Sequence, residues 1–227
     1  MQRVEFLNDL HINIVQAINM VMKLPERQIH FFEEIRKRNI EKPKDYELML
    51  SYGFLRYYEI THIIQGEDLA NTGILDVVKI YDEILEIRPN DWFVRLLKIL
   101  LYIKLPQKMR KEEDFKTTIR WMLEAQSKSI KKESYFILPY IYYSEYWYEK
   151  KDMALAKKYL DDGLKQVPLK PINYLYFNPH IFIPIKEFYY CLYRSEDFEL
   201  AKSIKTISSI YFPLESKAMN QFSNSIL

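Results

Sequence analysis

The spacing of its apolar residues limits what this chain can fold into more than any other feature. Apolar side chains recur every three or four residues, the period of an α-helix with one buried face, as in Leu7, Leu10, Ile14, Ile18 and Val21. Short breaks rich in glycine, proline, asparagine or serine separate these stretches, at Gly66–Gly73, Pro89–Asp91, Pro106, Ser127–Lys132, Gly163–Pro171 and Pro213. The pattern predicts an all-α protein of about ten or eleven helices.

The first three helices can be placed from these signals. The first ends before Pro25, the second covers Glu26 to Arg38, and the third runs from Asp45 to about Gln65, where Gly66 ends it. Only the stretch from Ile172 to Ile183, rich in tyrosine and isoleucine, could hold a short extended segment.

Composition excludes several classes of protein. The 33 basic and 31 acidic residues give a net charge of +2, so the basic excess typical of nucleic-acid-binding proteins is missing and no direct nucleic-acid partner is expected. The four glycines do not cluster into a phosphate-binding loop. Cys191 is the single cysteine, so no disulfide within the chain is expected, and its aromatic neighbours predict a buried structural thiol.

No membrane partner is expected from the sequence. Glu5 and Asp9 interrupt any secretory signal, and three prolines disfavour a membrane span in the longest uncharged stretch, Pro171 to Ile185. These features predict a cytoplasmic protein.

The segment from Ser144 to Pro168 places small, large and aromatic residues at regular positions on two consecutive helices. Two antiparallel helices approach closely only where one of them carries a small side chain. From Trp147 to Pro168 this segment resembles the tetratricopeptide repeat without a gap, and Ser144 stands at the small position of its first helix. The other matching positions are Trp147, Ala156, Leu160, Gly163 and Pro168. The resemblance implies an antiparallel pair of helices that cross at Ala156 and Gly163.

Weaker copies extend the resemblance to about residues 50–213. The second-best copy has its matching positions at Leu192, Asp197, Phe198, Ala201, Ser208 and Pro213, with Tyr189 in place of a small residue. The spacing between copies is irregular, and an irregular helical bundle is the alternative to a repeat array. The resemblance implies a tetratricopeptide-like α–α superhelix over residues 43–213, with an N-terminal helical cap at 1–42 and a weakly helical, polar tail at 214–227.

No catalytic constellation is present in the sequence. Glu59 and His62 have the Glu-x-x-His spacing of di-iron helical bundles, but the second copy and the two further glutamates that such a site needs are missing. No serine elbow or paired Cys/His arrangement occurs. We therefore expect a protein that is not an enzyme and that holds no metal or cofactor.

An excess of aromatic residues on one helix suggests a binding surface. One face of this helix, which would pack on the partner helix, carries Tyr140, Tyr143, Ser144 and Trp147. A neighbouring face of the same helix carries Leu138, Ile141, Glu145 and Tyr148 and would not be covered by that partner. In tetratricopeptide arrays the first helices line a concave surface. The resemblance therefore implies a groove that binds a peptide or protein segment and is lined by Leu138, Ile141, Glu145, Tyr148, Ile183, Lys186, Tyr190 and Tyr193.

Three alternatives remain open at this point. Neighbouring helices could cover these rings, so that they form part of the core. The chain also resembles the sensor domains of peptide-pheromone receptors from low-GC Gram-positive bacteria, which implies a peptide-responsive regulatory protein. A third hypothesis is a structural subunit whose aromatic face mediates homo-oligomerisation.

Overall fold

A computed structural model describes residues 4–62, 67–174, 177 and 182–226 of this chain, without the side chains of 25, 26, 61, 62, 67, 68 and 224–226. In this part of the chain the prediction of an all-α protein is confirmed, and no strand occurs. The helices are α1 (Asp9–Val21), α2 (Pro25–Glu41), α3 (Tyr46–His62), α4 (Glu67–Ile87), α5 (Trp92–Lys104), α6 (Glu112–Lys128), α7 (Ile137–Glu149), α8 (Met153–Gln166), α9 (Ile183–Arg194), α10 (Phe198–Tyr211) and α11 (Pro213–Ile226).

Side chains at the helix starts explain several of these boundaries. The Asn8 side chain accepts hydrogen bonds from the first turn of α1, Asp91 accepts one from the Val94 amide of α5, and Asp152 accepts one from the Leu155 amide of α8. Each satisfies a backbone donor that the helix itself leaves without an acceptor. None of the described helices is long and apolar enough to cross a membrane.

Two of the boundaries predicted from the sequence are wrong. The break placed at Gly66–Gly73 is shorter, because Gly73 lies inside α4, and α2 continues beyond Arg38 to Glu41. No strand occurs in the described part of the stretch from Ile172 to Ile183, and the rest of that stretch lies outside the described residues.

The helices form two compact units, and the first contains α1 to α5. It comprises the described residues within 1–111 and 175–178. Helix α3 packs on α1, α2 and α4, and α4 packs on α5. Of the apolar residues that the periodicity predicts for the buried face of the first helix, Ile14 and Ile18 are buried, and the others are half-buried.

The second unit contains α6 to α11 and comprises the described residues within 112–174 and 179–227. Its main contacts are the antiparallel pairs α7–α8 and α9–α10, with α8 against α10 and α11 against both α9 and α10. The boundaries at residues 42 and 213 do not coincide with the boundary between the two units. The predicted array over 43–213 stays a prediction.

Small residues lie where helices of each unit approach most closely. A Cβ atom on Gly163 of α8 would lie 2.7 Å from Ile137 Cδ1 and 3.0 Å from Tyr140 Cβ of α7. Ala156, two helical turns earlier on α8, is fully buried. In the first unit Gly53 of α3 approaches Tyr81 of α4 in the same way. The predicted crossing of α7 and α8 at small residues is therefore confirmed for Gly163.

Candidate functional site

Helix α7 uses its aromatic face to pack on α8, as the sequence predicts. The rings of Tyr143 and Tyr159 have centroids 4.3 Å apart, and the Tyr140 hydroxyl donates a hydrogen bond to Gln166 Oε1 at 2.9 Å. Burial raises the pKa of Tyr140 to about 12. This face therefore belongs to the core of the second unit.

The neighbouring face of α7 is not the exposed groove wall that the sequence predicts. Leu138 and Ile141 have no exposed surface, and Glu145 is half-buried. The expectation that Leu138 and Ile141 are exposed is wrong, because helices in addition to α8 pack around α7, among them α6 and α9.

Tyr148 at the end of α7 is also buried, which corrects its placement on an open surface. Its ring lies 5.6 Å from that of Phe188 on α9, and its hydroxyl donates a hydrogen bond to Asp197 Oδ2 at 2.6 Å. Burial and the hydrogen bond to Asp197 raise the pKa of Tyr148. Tyr148 therefore connects α7 to the turn between α9 and α10.

The four predicted residues of α9 remain partly accessible. Ile183, Lys186, Tyr190 and Tyr193 are each half-buried. Helix α11 covers part of the two tyrosines, because the ring of Phe222 lies 4.2 Å from that of Tyr190 and 5.9 Å from that of Tyr193.

Phe222 and Arg194 are candidate residues that the sequence prediction missed. The Arg194 guanidinium lies 5.7 Å from the centre of the Phe222 ring, within range of a cation–π contact. We call the surface formed by Lys186, Tyr190, Tyr193, Arg194 and Phe222 the α9–α11 face. The sequence signals for it are Lys186 and the tyrosine pair on α9, whereas the composition of residues 214–227 predicts a polar tail.

Cys191 lies on α9 next to Tyr190 and is exposed. The prediction of a buried thiol is therefore wrong. The aromatic residues around it in sequence point to other sides of the helix, where Phe188 and Tyr189 are buried.

The first unit contains a buried polar network of His11, Tyr46 and Asp91. The Tyr46 hydroxyl donates a hydrogen bond to Asp91 Oδ2 at 2.5 Å and lies 2.6 Å from His11 Nε2. The backbone amide of Asn8 donates to His11 Nδ1 at 3.2 Å, so Nε2 is the donor nitrogen of the ring. It faces both the Tyr46 oxygen and Asp91 Oδ2, the latter at 3.3 Å.

The charges of this network follow from its burial. Burial alone would raise the pKa of Asp91, but the hydrogen bonds from His11 and Tyr46 outweigh it and lower that pKa. Burial and the neighbouring Asp91 carboxylate raise the pKa of Tyr46 above its usual range. The hydrogen bonds of this network join α1, α3 and the start of α5. Because His11 and Asp91 have no exposed surface, the network offers no access to a substrate.

No group of three or more His, Cys, Asp or Glu side chains with the geometry of a metal site occurs among the described residues. The side chain of His62, half of the Glu-x-x-His pair, lies outside them. Comparisons of the chain with models of protein families, with curated proteins and with solved structures give no match.

Proposed function

We propose that this chain is a non-catalytic helical-repeat module that binds a peptide or protein segment on its α9–α11 face. The observation that carries the proposal is the half-exposed aromatic group on this face, in which the rings of Tyr190 and Phe222 pack against each other with centroids 4.2 Å apart and planes tilted by 38°. Tyrosine is enriched at protein interfaces because it offers apolar area and a hydroxyl at a low entropic cost. This contact with Phe222 holds the Tyr190 ring in place before a partner binds, which lowers that cost further.

The charges of this face favour a partner with an acidic residue beside its apolar anchor. Lys186 lies one helical turn before Tyr190, and Arg194 one turn after it. Both cations would attract a carboxylate, mainly by raising the association rate and setting the direction of the segment.

The packing of α7 to α10 supports a repeat module. In the first of two consecutive helical hairpins Gly163 of α8 contacts α7. In the second, Ser208 of α10 occupies the matching position of the repeat and is fully buried. Arrays of such hairpins present continuous surfaces that suit extended or helical segments.

Selection from a displayed library of random peptides tests this proposal. We expect selected peptides to carry an aromatic or aliphatic residue near an acidic one. Tyr190→Ala should weaken their binding by about 30-fold, which corresponds to about 2 kcal/mol for an aromatic anchor. Met153→Ala, which removes an exposed side chain at the start of α8, is the matched control and should leave affinity unchanged.

A second variant separates lost binding from lost stability, because Tyr190 also contacts Phe222. Lys186→Glu leaves the rings in place and should slow association in a manner that depends on salt. Selected peptides that bind Tyr190→Ala and Lys186→Glu as tightly as the parent would contradict the proposal, and so would a library that yields no binder.

A further inference from the structure

Three loops of the second unit lie side by side at the ends of α6, α8 and α10. The Ser134 hydroxyl after α6 donates a hydrogen bond to the Pro171 carbonyl after α8 at 3.3 Å. The Ile172 amide donates to the Tyr211 carbonyl at the end of α10, at 3.0 Å. These bonds place the three loops along one edge of the unit.

The first two loops and the first turn of α11, which follows the third loop, each present one large aliphatic side chain to solvent. Ile130 is fully exposed, at 103%, while Leu169 is 64% and Leu214 is 59% exposed. Single exposed apolar residues are common on protein surfaces, but here two stand on adjacent loops and the third on the helix turn that follows the loop beside them.

Lysines lie within four residues in sequence of each of these aliphatic side chains, and two of them, Lys128 and Lys131, also form ion pairs with Glu124 and Glu133. The same loops and the adjoining helix turns carry six lysines and three glutamates. The lysines are Lys128, Lys131, Lys132, Lys165, Lys170 and Lys217. We call these lysines, together with Ile130, Leu169 and Leu214, the basic edge.

The opposite edge of the unit has the opposite charge. It is held together by the ion pair between Lys150 and Glu112 and by the hydrogen bond from Tyr148 to Asp197 at 2.6 Å. Its acidic residues outnumber its basic ones and are Glu112, Glu113, Asp114, Glu149, Asp152, Glu196, Asp197 and Glu199. The length of α8 separates the two edges by about 20 Å, so the unit has an electric dipole that points the basic edge toward negative charge.

The chemistry of the basic edge fits a lipid surface better than a protein or a nucleic acid. Its cations are all lysines, which protein interfaces disfavour, and residues 124–134, 165–174 and 213–217 contain no arginine. Its apolar side chains are separate aliphatic tips and form no aromatic pocket of the kind that dominates protein binding energy. Aliphatic tips gain nothing from a phosphodiester backbone, whereas they can enter the acyl region of a bilayer.

We propose that the basic edge docks on an anionic lipid surface, with Ile130, Leu169 and Leu214 inserted below the headgroups and the lysines beside the lipid phosphates. Such peripheral binding needs no membrane-spanning helix. It uses a different part of the second unit from the α9–α11 face, so the two proposals can fail independently.

Sedimentation of the full chain with lipid vesicles tests this inference. We expect binding to phosphatidylcholine vesicles that contain phosphatidylserine, much weaker binding to phosphatidylcholine alone, and a loss of binding between about 0.1 M and about 1 M salt, where charges are screened. The variant Ile130→Ser, Leu169→Ser, Leu214→Ser should bind at least about tenfold more weakly with an unchanged melting temperature, because all three side chains are exposed. Lys170→Glu with Lys217→Glu should also weaken binding by more than about tenfold.

A matched control variant removes the same kind of side chain elsewhere. Ile29→Ser with Ile40→Ser alters two isoleucines of α2 that are each 73% exposed and lie near Arg36, Lys37 and Arg38. This control should bind vesicles as the parent does. The inference is overturned if the parent does not sediment with anionic vesicles or if the control loses as much binding as the triple variant. It is also overturned if the triple variant only converts an assembly to monomers in light scattering, because the edge would then join copies of the chain.

Discussion

Substitution of Gly163 tests whether α7 and α8 cross as closely as the structure indicates. An alanine Cβ at this position would lie 2.7 Å from Ile137 Cδ1, 3.0 Å from Tyr140 Cβ and 3.1 Å from Tyr140 Cγ. The Ile137 methyl group can rotate away, but Tyr140 Cβ is attached to the backbone of α7 and moves only with the helix. The new methyl group must therefore push the two helices apart.

Two opposing effects determine the size of the change. Overpacking a close contact costs about 1–3 kcal/mol, while replacing a helical glycine by alanine gains about 1 kcal/mol in helix propensity. Gly163→Ala should therefore lower the free energy of unfolding by about 0–2 kcal/mol. Gly163→Val adds two more methyl groups with less gain in propensity, and we expect a loss of about 2–3 kcal/mol.

Urea unfolding followed by circular dichroism measures these changes, with Lys157→Val on the exposed side of α8 as the control. The control should change the free energy of unfolding by less than about 0.5 kcal/mol. In thermal unfolding Gly163→Val should lower the melting temperature by about 4–10 °C. If Gly163→Ala stabilises the protein by the full propensity gain, or Gly163→Val and Lys157→Val behave alike, the close crossing is refuted.

Three further substitutions test the buried polar groups, each by urea unfolding. Tyr148→Phe should cost about 1 kcal/mol, because it removes the hydrogen bond to Asp197 and keeps the ring; no loss would mean that the bond contributes nothing. Ser144→Ala should raise stability by up to about 1 kcal/mol, since the Ser144 hydroxyl is fully buried and has no hydrogen-bond partner among the described residues; destabilisation would contradict this. The folded-state pKa of Asp91 is lowered, so the stabilisation by its carboxylate is complete above about pH 4 and is lost as the pH falls further. Asp91→Asn should lower the free energy of unfolding at neutral pH and make it depend less on pH in acid. An unchanged slope of the free energy of unfolding against pH would contradict the lowered pKa of Asp91.

The pairing of α7 with α8 could be predicted because its signals are local. Ser144, Ala156, Gly163 and Pro168 lie within about two helices of sequence, and their spacing alone places the small residues on one face. The contact of Gly163 with Tyr140 follows from that spacing.

The packing of α11 on α9 could not be predicted, because α11 has the composition of an exposed tail. Its buried positions include Ser216 and Ser223 beside Met219. The Ser223 hydroxyl is satisfied in this buried position because it forms a hydrogen bond with the Tyr189 hydroxyl, at 2.6 Å. Tyr189 occupies a position where the repeat expects a small residue, so this departure from the pattern marks where a further helix packs.

Contacts between residues far apart in the sequence could not be predicted from it either. The hydrogen bond between His11 and Asp91 joins residues 80 positions apart, and neither belongs to a recognisable motif. The sequence predicts a helix break at Gly73, but the residue lies inside α4 and its lack of a side chain makes room for Ile60 of α3. A Cβ atom at position 73 would lie 2.8 Å from Ile60 Cγ1. A glycine can end a helix or allow a close approach, and spacing alone does not distinguish the two.

Hydrogen–deuterium exchange with a selected peptide tests the central claim, that the α9–α11 face binds a peptide segment, most directly. Binding should slow amide exchange in α9 and α11, around Tyr190 and Phe222, and leave exchange in α2 unchanged. The same peptide at the same concentration should produce no such protection in Tyr190→Ala. Protection confined to other helices, or equal protection in the variant, would contradict the claim.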